Sequence, residues 1–375
     1  MNKIINNKRS IWTEIDTTTP LTTVVATVAN TKARHYIIDQ TKLPFQREVV
    51  ELCSMEDAAR AISTMQVRGA PLIGVTAAYG VALMMEKNNS DNALASAIDT
   101  LKVTRPTAVN LMWALNLMQR CLAATPIRNR VERAWHAAYE MAENDIFTNR
   151  AIGENGLTIL QNLFQKYQRP INILTHCNAG ALACVGYGTA LAPMYLAKDA
   201  ALPIHVFVDE TRPRNQGLLT AMELREAGID HTYIVDNAGG HLMQHGAIDL
   251  VIVGADRISA NGDAANKIGT YLKALAAFDN GIAFYVAAPT STIDPTIQNG
   301  VRDIEIEERD EIEVRSVSGL PANNAARSSP ILLVDKLTKI ANPGFDVTPS
   351  RLITGIITEH GIFAPANILD SLVKE

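Results

Sequence analysis

A cysteine that could do chemistry lies near the middle of the chain. Cys177 stands between His176 and Asn178, just after a short apolar run that ends at Leu174 and before a segment of helical composition, Gly180 to Ala197. A thiol at the start of a helix has a lowered pKa, because the helix dipole stabilises the thiolate. A lone cysteine is more often a small buried residue, but this position at a predicted strand-to-helix turn favours a chemical role.

A carboxylate follows another apolar run in the same way. Asp256 comes shortly after Leu250 to Val253 and directly before Arg257. Burial at the end of a strand would raise the pKa of this carboxyl into the range of a general acid. The alternatives are an ordinary surface carboxylate and a structural Asp–Arg pair. With Cys177 on a neighbouring strand end, Asp256 would complete a proton-transferring pair around a small substrate.

Short apolar runs alternate with helical patterns from about residue 170 onward. Runs that are apolar on both faces and separated by helices are typical of a parallel sheet covered on both sides. We therefore predict a Rossmann-like, doubly wound α/β domain, in which the residues after each strand meet at one edge and bind the ligand. The predicted strands are Ile171–Leu174, Ile204–Val208, Thr232–Val235, Leu250–Val253 and Ile282–Val286, and the predicted helices include Gly180–Ala197, Ala221–Ala227 and Ala264–Phe278.

The first third of the chain predicts a smaller domain of a different kind. The β-type runs Leu21–Val28 and Ala33–Asp39 indicate a short antiparallel sheet. Helical patterns follow over Ser54–Val67, Pro71–Met85, Asn92–Val103 and Thr107–Ala124, the first with Ser54 as N-cap and Asp57 three residues on, and Ile127–Leu163 has a helical pattern with interruptions. We place residues 1–145 in this helical, small-sheet domain and residues 146–375 in the Rossmann-like domain.

Three basic residues are placed to bind an anion. Lys267 lies beside a predicted helix start, where backbone N–H groups would suit a phosphate, although the spacing is not that of a Walker A loop. Arg68 precedes Gly69-Ala70-Pro71, and Arg105 precedes Pro106, each just before a predicted helix. Each arginine alone is more often a surface residue, but together they could bind one anion.

Composition excludes several classes of protein. The 375 residues carry a net charge of -5, without the basic excess of a nucleic-acid surface. No apolar run reaches the length of a membrane span, and no signal-peptide pattern follows the first residues. Four cysteines without C-x-x-C spacing predict neither a disulfide framework nor a zinc site, and His241 and His245 lack the glutamate of H-E-x-x-H. We predict a cytoplasmic protein without metal, NAD or ATP.

Six blocks of sequence together carry a family resemblance: Arg68–Pro71, Arg105–Leu111, Thr175–Gly180, Asp209–Pro213, Gly254–Tyr271 and Asn342–Pro349. In these blocks the chain resembles the methylthioribose-1-phosphate isomerase family, part of a larger group that includes the regulatory subunits of translation initiation factor 2B. The resemblance implies a homodimeric aldose–ketose isomerase of methionine salvage, with Cys177 and Asp256 as catalytic residues. It also implies substrate contacts from Arg68, Gly69, Ala70, Arg105, Gln216, Asn266 and Lys267, of which Gln216 rests on the resemblance alone.

The sequence departs from the family pattern beside these blocks. An arginine expected near Leu218 and Leu219 is missing, and the block Asp236–His241 differs from the common form. The substrate could therefore be 5-deoxyribose 1-phosphate instead of the methylthio sugar. A non-catalytic regulatory subunit is a second possibility, but such a protein would be expected to lose the Cys–Asp pair. A ribose-1,5-bisphosphate isomerase is a third, and it would need a further basic cluster.

The chemistry of such an isomerase suggests a role for each of the two residues. A furanose that is phosphorylated on its anomeric oxygen cannot open spontaneously to an aldehyde. We expect Asp256 to protonate the ring oxygen and Cys177 to help move a proton from C2 to C1. A direct hydride shift from C2 to C1 is the alternative, and the sequence does not separate the two.

Overall fold

Two compact units make up the chain. The structure, a computed structural model, describes residues 9–14, 33–106, 108–320 and 328–372. Unit 1 is formed by Met1–Leu43, Arg47–Thr148 and Ala181–Gly188, and unit 2 by Pro44–Gln46, Asn149–Gly180 and Thr189–Glu375. The division at residue 145 into two separate domains stays a prediction.

Unit 1 combines a small sheet with a group of helices. Its antiparallel strands are β1 (Ile11–Glu14), β2 (Arg34–Ile38) and β3 (Val49–Glu51), paired in that order. Its helices are α1 (Met55–Ser63), α2 (Ala70–Lys87), α3 (Asp91–Lys102) and α4 (Val109–Ala123), and α5 (Arg130–Tyr167) continues into unit 2. The predicted antiparallel sheet and helices are confirmed, except that the run Leu21–Val28 lies outside the described residues. The interruptions predicted within Ile127–Leu163 are wrong, because a 3-10 turn, Ile127–Asn129, is followed by the continuous helix α5.

Local sequence explains where α1 begins. The Ser54 side chain accepts a hydrogen bond of 3.1 Å from the N–H of Asp57, which satisfies a backbone donor at the first turn. The Asp57 carboxylate in turn accepts the N–H of Cys53 at 3.0 Å. The predicted N-cap is therefore confirmed.

Helix α2 follows and is buried along most of its length, which explains why its sequence is apolar nearly all round.

A seven-stranded sheet forms the centre of unit 2. Its strands are β4 (Ile171–Thr175), β5 (Ile204–Asp209), β6 (His231–Ile234), β7 (Leu250–Val253), β10 (Ala283–Ala287), β15 (Gly355–Thr358) and β16 (Gly361–Phe363). Their order in the sheet is β16-β15-β10-β7-β4-β5-β6, and all neighbouring strands are parallel except β16, which is antiparallel to β15. All five predicted strands are present and parallel, so the Rossmann-like fold class is confirmed.

Smaller elements complete unit 2. A second sheet, of order β11-β8-β9-β14, contains β8 (Arg257–Ser259), β9 (Ala264–Lys267), β11 (Ile293–Asp294) and β14 (Phe345–Thr348). Strand β12 (Ser316–Gly319) pairs antiparallel with β13 (Ser329–Leu332). The helices are α6 (Ala192–Asp199), α7 (Gly217–Glu226), α8 (Ala238–Gln244), α9 (Thr270–Asp279), α10 (Gly300–Asp303) and α11 (Ile312–Arg315). None of the described helices is both long and apolar enough to cross a membrane.

The predicted helix Gly180–Ala197 is wrong over its first part. Only a single 3-10 turn, Ala181–Ala183, forms there, and α6 starts at Ala192. Tyr187 and Gly188 have φ angles of 63° and 82°, and a right-handed helix cannot continue through such a conformation. Cys177 therefore does not lie at the start of a long helix, and the helix-dipole argument for its reactivity is lost.

The predicted helix Ala264–Phe278 is also wrong over its first part. Residues Ala264–Lys267 form β9, which pairs antiparallel with β14. Gly269 then adopts a left-handed φ of 101°, and α9 begins at Thr270. Alanine-rich composition favours a helix locally, but pairing with a strand far along the chain overrides that propensity.

Candidate active site

Two neighbouring strands carry the predicted catalytic residues. Strands β4 and β7 pair in parallel, so their carboxyl ends lie at the same edge of the sheet. Cys177 follows the end of β4 by two residues, and Asp256 follows the end of β7 by three. The two loops are packed together, since a Cβ built on Gly254 would lie 2.9 Å from the Cβ of Ala179. The thiol and the carboxylate are thus presented by adjoining loops.

Cys177 has an unusual backbone conformation. Its φ is 66°, in the left-handed region that non-glycine residues rarely adopt, and such strain recurs at functional sites. Its N–H donates to Thr211 Oγ1 at 2.9 Å, and its carbonyl oxygen accepts from Thr220 Oγ1 at 2.7 Å. Both polar groups of the Cys177 backbone are therefore held by hydroxyl groups, and its side chain is half-buried.

Thr211 is itself held by the ends of two strands. Its hydroxyl donates to the carbonyl oxygen of Asp209, the last residue of β5, at 3.1 Å. The carboxylate of Asp236, two residues beyond β6, accepts the N–H groups of Thr211 and Arg212, both at 2.8 Å. Residues that follow β4, β5 and β6 are thus joined by hydrogen bonds around Cys177.

A buried ionic network lies beside these loops. The Lys273 Nζ is 3.2 Å from Asp209 Oδ2 and 3.9 Å from Asp236 Oδ1. His176 Nδ1 is 3.2 Å from the same Asp209 oxygen, and its Nε2 donates to the Ile268 carbonyl oxygen at 2.9 Å. The His176, Asp209 and Asp236 ligand atoms lie within 4.8 Å of one another, a grouping that could hold a metal ion. The Lys273 ammonium, however, already places a cation against both carboxylates.

Helix α7 supports the same turn from another direction. Asn178 Nδ2 donates to Glu223 Oε1 at 2.7 Å and to Thr220 Oγ1 at 3.2 Å. The Tyr195 hydroxyl donates to Glu223 Oε2 at 3.2 Å, and Glu223 is buried. Because Gly180 packs directly on the Glu223 carboxylate, a side chain there would displace it. These contacts fix the residues on the C-terminal side of Cys177.

Asp256 lies where β7 leads into the second sheet. Its N–H donates to the Ala265 carbonyl oxygen at 2.9 Å, and its side chain is half-buried. Arg257, the next residue, forms an ion pair of 3.6 Å with Asp294. The backbone at Asp256 is therefore held to strand β9 by a hydrogen bond.

The second sheet also carries two predicted substrate contacts. The Lys267 Nζ donates to the Gly344 carbonyl oxygen at 2.9 Å and lies 4.0 Å from the centre of the Phe345 ring. Asn266 is buried, and its Nδ2 donates to Thr270 Oγ1 at 3.1 Å. Both side chains are therefore oriented by their neighbours, as a preorganised binding site requires.

Two backbone N–H groups at the start of α9, where we predicted a phosphate, bind a side chain of the protein instead. The N–H groups of Gly269 and Tyr271 donate to the Asp346 carboxylate at 2.7 Å and 3.1 Å. Burial raises the pKa of Asp346, while these two N–H groups and the charges of His176 and Lys273 act to lower it. The anion at this helix start is thus a side chain of the protein. Asn266 and Lys267 remain candidates through their side chains.

Gln216 is placed directly before α7. Its side chain is buried, and its Oε1 has no hydrogen-bond partner among the residues that the structure describes. A buried acceptor without a donor costs free energy, about 1–3 kcal/mol. Such an oxygen is suited to receive a hydrogen bond from a ligand.

The remaining predicted contacts belong to unit 1. Gly69, with a φ of 96°, precedes α2 and lies so close to the Ala183 backbone that a Cβ would clash. Ala70 is the first residue of α2, and the Arg68 Nε donates to Gln40 Oε1 at 3.3 Å. Arg105 lies in a turn that the N–H of Ala108 closes onto its carbonyl oxygen at 3.0 Å. These four residues are in unit 1, whereas Cys177, Asp256, Gln216, Asn266 and Lys267 are in unit 2.

Sequence reasoning missed three residues of this arrangement. Thr211 was visible as a polar residue after β5, but nothing in the sequence indicated that it contacts Cys177. Thr220 and Lys273 lie inside helices α7 and α9, where single polar residues are common. No sequence signal could have found them, since their partners are 43 and 64 residues away along the chain.

Comparison with known proteins identifies the family of this chain. The sequence model of the initiation factor 2 subunit family matches residues 66–365. The chain belongs to this family. Methylthioribose-1-phosphate isomerase of Methylorubrum populi is 57% identical over 329 residues, which cover 88% of this chain and 90% of that protein. The enzyme of the same name from Brucella anthropi is 56% identical over 333 residues, covering 88% and 91%. The resemblance found in the sequence is confirmed.

Solved structures of family members have the same fold. The 5-methylthioribose 1-phosphate isomerase of Pyrococcus horikoshii has a TM-score of 0.76 and 39% identity, covering 90% of this chain and 93% of that one. The translation initiation factor eIF-2B subunit delta of A. fulgidus has a TM-score of 0.75 and 36% identity, covering 96% and 97%. The family therefore contains both an isomerase and an initiation factor subunit at comparable structural similarity, and the fold alone does not choose between them.

Proposed function

We propose that this chain is an aldose–ketose isomerase of methionine salvage, which converts 5-methylthioribose 1-phosphate to 5-methylthioribulose 1-phosphate. The observation that carries the proposal is the position of Cys177 and Asp256 on adjoining loops after β4 and β7. A regulatory subunit would have no need of this thiol and carboxylate together. Relatives named for this activity, at 56–57% identity over 88% of the chain, support it.

The two residues have complementary tasks in the proposed reaction. Asp256 donates a proton to the ring oxygen while the bond between C1 and that oxygen breaks. Cys177, as the thiolate, removes the proton from C2, and the electrons of the C2–H bond form a C1–C2 double bond. The Cys177 thiol then returns a proton to C1, and the C2 hydroxyl gives its proton to the Asp256 carboxylate. A ketone at C2 results, and both groups regain their starting states.

The other candidate residues would hold the substrate. Lys267 supplies a positive charge and Asn266 an oriented amide, which suit the phosphate and the sugar hydroxyls. The unpaired Gln216 Oε1 would accept a hydrogen bond from a sugar hydroxyl. Through the family resemblance we assign further substrate contacts to Arg68, Gly69, Ala70 and Arg105. The same resemblance leads us to propose a homodimer in the cytoplasm.

Turnover on a panel of ribose 1-phosphates tests the proposal. The panel contains the 5-methylthio, 5-deoxy, 5-hydroxy and 5-phospho sugars, with ketose formation as the readout. We expect the highest kcat/KM for the 5-methylthio sugar. A higher value for the 5-deoxy sugar would reassign the substrate, and no turnover on any sugar would favour a regulatory subunit.

Solvent exchange tests the proton-transfer step. In D2O, a proton carried by Cys177 can exchange with solvent before it returns, so deuterium should appear at C1 of the ketose. Mass spectrometry and NMR of the product measure it. A product without deuterium at C1 would favour the direct hydride shift.

A further inference from the structure

We propose that Thr211 and Thr220 are positioning residues that hold Cys177 in its left-handed conformation for proton transfer. Neither hydroxyl needs to touch the substrate. The proposal rests on the proposed function of Cys177, and it adds the groups through which the fold places the thiol. It follows from the two hydrogen bonds to the Cys177 backbone and from the φ of 66° between them.

Thr211 holds the N-terminal side of Cys177. Its single hydroxyl proton is directed to the Asp209 carbonyl oxygen at 3.1 Å, so its oxygen is left to accept the Cys177 N–H at 2.9 Å. Thr211 is fully buried and itself has a left-handed φ of 61°. The Asp236 carboxylate fixes that conformation by accepting the Thr211 N–H at 2.8 Å.

Thr220 holds the C-terminal side. Its hydroxyl donates to the Cys177 carbonyl oxygen at 2.7 Å, and its oxygen accepts from Asn178 Nδ2 at 3.2 Å. Thr220 is fully buried in the first turn of α7, and Glu223 on the same helix accepts the second Asn178 N–H at 2.7 Å. Helix α7 therefore forms hydrogen bonds with two consecutive residues of the turn, Cys177 and Asn178.

The two threonines bind the peptide groups on opposite sides of Cys177. Thr211 is an acceptor and Thr220 a donor toward Cys177, so the peptide groups on both sides of the Cys177 Cα are held. A non-glycine residue leaves the left-handed region readily when nothing holds it there. Loss of either hydroxyl should let the turn relax and move the thiol away from the reacting carbons.

Isosteric substitution tests the proposal. Thr211→Val and Thr220→Val keep the side-chain shape but remove the hydroxyl, and we expect kcat to fall by about 10- to 100-fold, the usual result of a misplaced reacting group. KM should stay within about twofold, because uniform substrate binding is unchanged. Thr211→Ser and Thr220→Ser restore the hydroxyl and should recover most of the turnover. Thr→Ala variants serve where a valine variant does not fold.

A matched control separates positioning from general loss of stability. Thr76 is also fully buried, and its hydroxyl donates to the Leu72 carbonyl oxygen within α2 at 2.8 Å. Thr76→Val therefore removes a similar buried hydrogen bond at a distance in sequence from Cys177, and kcat should be unchanged. Equal losses of kcat in all three valine variants, without rescue by serine, would overturn the proposal.

Alkylation of Cys177 by iodoacetamide, followed by peptide mass spectrometry, gives a readout independent of turnover. We expect the rate in Thr211→Val and Thr220→Val to change by about threefold or more, since the thiol changes its surroundings, and the rate in Thr76→Val to stay at the wild-type value. Unchanged alkylation and unchanged kcat in the first two variants would overturn the positioning role while the isomerase assignment stands. If the wild type has no turnover, the isomerase assignment falls, and the alkylation rates alone decide whether the threonines position Cys177.

Discussion

Lys273 Nζ lies 3.2 Å from Asp209 Oδ2, and both side chains are buried. Removing one partner of a buried ion pair leaves the other charge uncompensated, which costs about 3–5 kcal/mol. We expect Lys273→Met to lower the free energy of unfolding by that amount in urea denaturation. Arg150→Met, at an exposed pair with Glu154, should stay within about 0.5 kcal/mol of the wild type. Equal effects of the two variants would contradict a structural role for Lys273.

The proposed catalytic pair predicts a loss of turnover without loss of fold. Cys177→Ser and Asp256→Asn should each lower kcat by about 10²- to 10⁴-fold, the range typical of general acid–base groups. Circular dichroism should be unchanged in both. The exposed Cys53 gives the control, since Cys53→Ser should keep wild-type kcat. Near-normal turnover in Cys177→Ser or Asp256→Asn would remove that residue from the mechanism.

The packing of the loops that carry Cys177 and Asp256 makes Gly254 sensitive to a single added carbon. A Cβ there would lie 2.9 Å from the Ala179 Cβ, closer than such atoms approach in folded proteins. Gly254→Ala should therefore push the loops of Cys177 and Asp256 apart and reduce kcat about 10-fold or more. Gly240→Ala, in helix α8, is the matched control, because the added Cβ would make ordinary contact with the Cβ of Ala276 at 3.6 Å. That variant should keep kcat and gain about 0.5–1 kcal/mol in stability.

A buried histidine in unit 1 predicts acid sensitivity. His35 stacks on Trp135 with ring centroids 4.1 Å apart, and burial lowers its pKa to about 4. The unfolded chain binds a proton at this histidine near pH 6.5, whereas the folded protein does so only near pH 4. Stability from this group is therefore complete above pH 6.5 and falls by about 3 kcal/mol as the pH drops to 4.

Denaturation followed by tryptophan fluorescence between pH 7 and pH 4.5 measures this effect. His35→Phe keeps a ring against Trp135 but cannot titrate, so its free energy of unfolding should depend less steeply on pH. Parallel pH profiles for His35→Phe and the wild type would show that another group causes the acid sensitivity.

A carboxylate in unit 2 predicts a second pH dependence. Burial alone would raise the pKa of Glu313, but hydrogen bonds from Arg309 and Arg214 lower it to about 2. Because the folded pKa lies below the unfolded value, the stabilisation is present above pH 4.5 and is lost as the pH falls toward 2. Glu313→Gln should cost about 1–2 kcal/mol at pH 7, after allowance for screening by solvent.

Urea denaturation of Glu313→Gln at several pH values checks this. The difference from the wild type should be constant from pH 7 to pH 5 and shrink below pH 4.5. Glu56→Gln makes the same chemical change at an exposed carboxylate in the first turn of α1 and serves as the control. A difference that does not shrink in acid would mean that the Glu313 charge is not its cause.

All five strands predicted for the parallel sheet are present, whereas two helices predicted beside them start at the wrong residue. The runs that form β4, β5, β7 and β10 are mainly apolar on both faces, because the parallel sheet is covered on both sides, and this pattern is local. The helix predicted from Gly180 failed because residues of helical composition adopt left-handed conformations at Tyr187 and Gly188. The start of α9 was misplaced because β9 pairs with β14, a contact that composition does not report.

The sequence by itself identified the two residues that we propose as catalytic. Cys177 and Asp256 follow buried strands whose apolar pattern predicts a parallel sheet, and parallel strands bring their carboxyl ends to one edge. Only the tertiary structure decided what holds these residues. Thr211 accepts a hydrogen bond from Cys177, 34 residues away along the chain, and Asp346 accepts one from Gly269 before α9, 77 residues away. Such contacts depend on how distant segments pack. The local sequence around a hydroxyl or carboxylate carries no information about a partner that is distant along the chain.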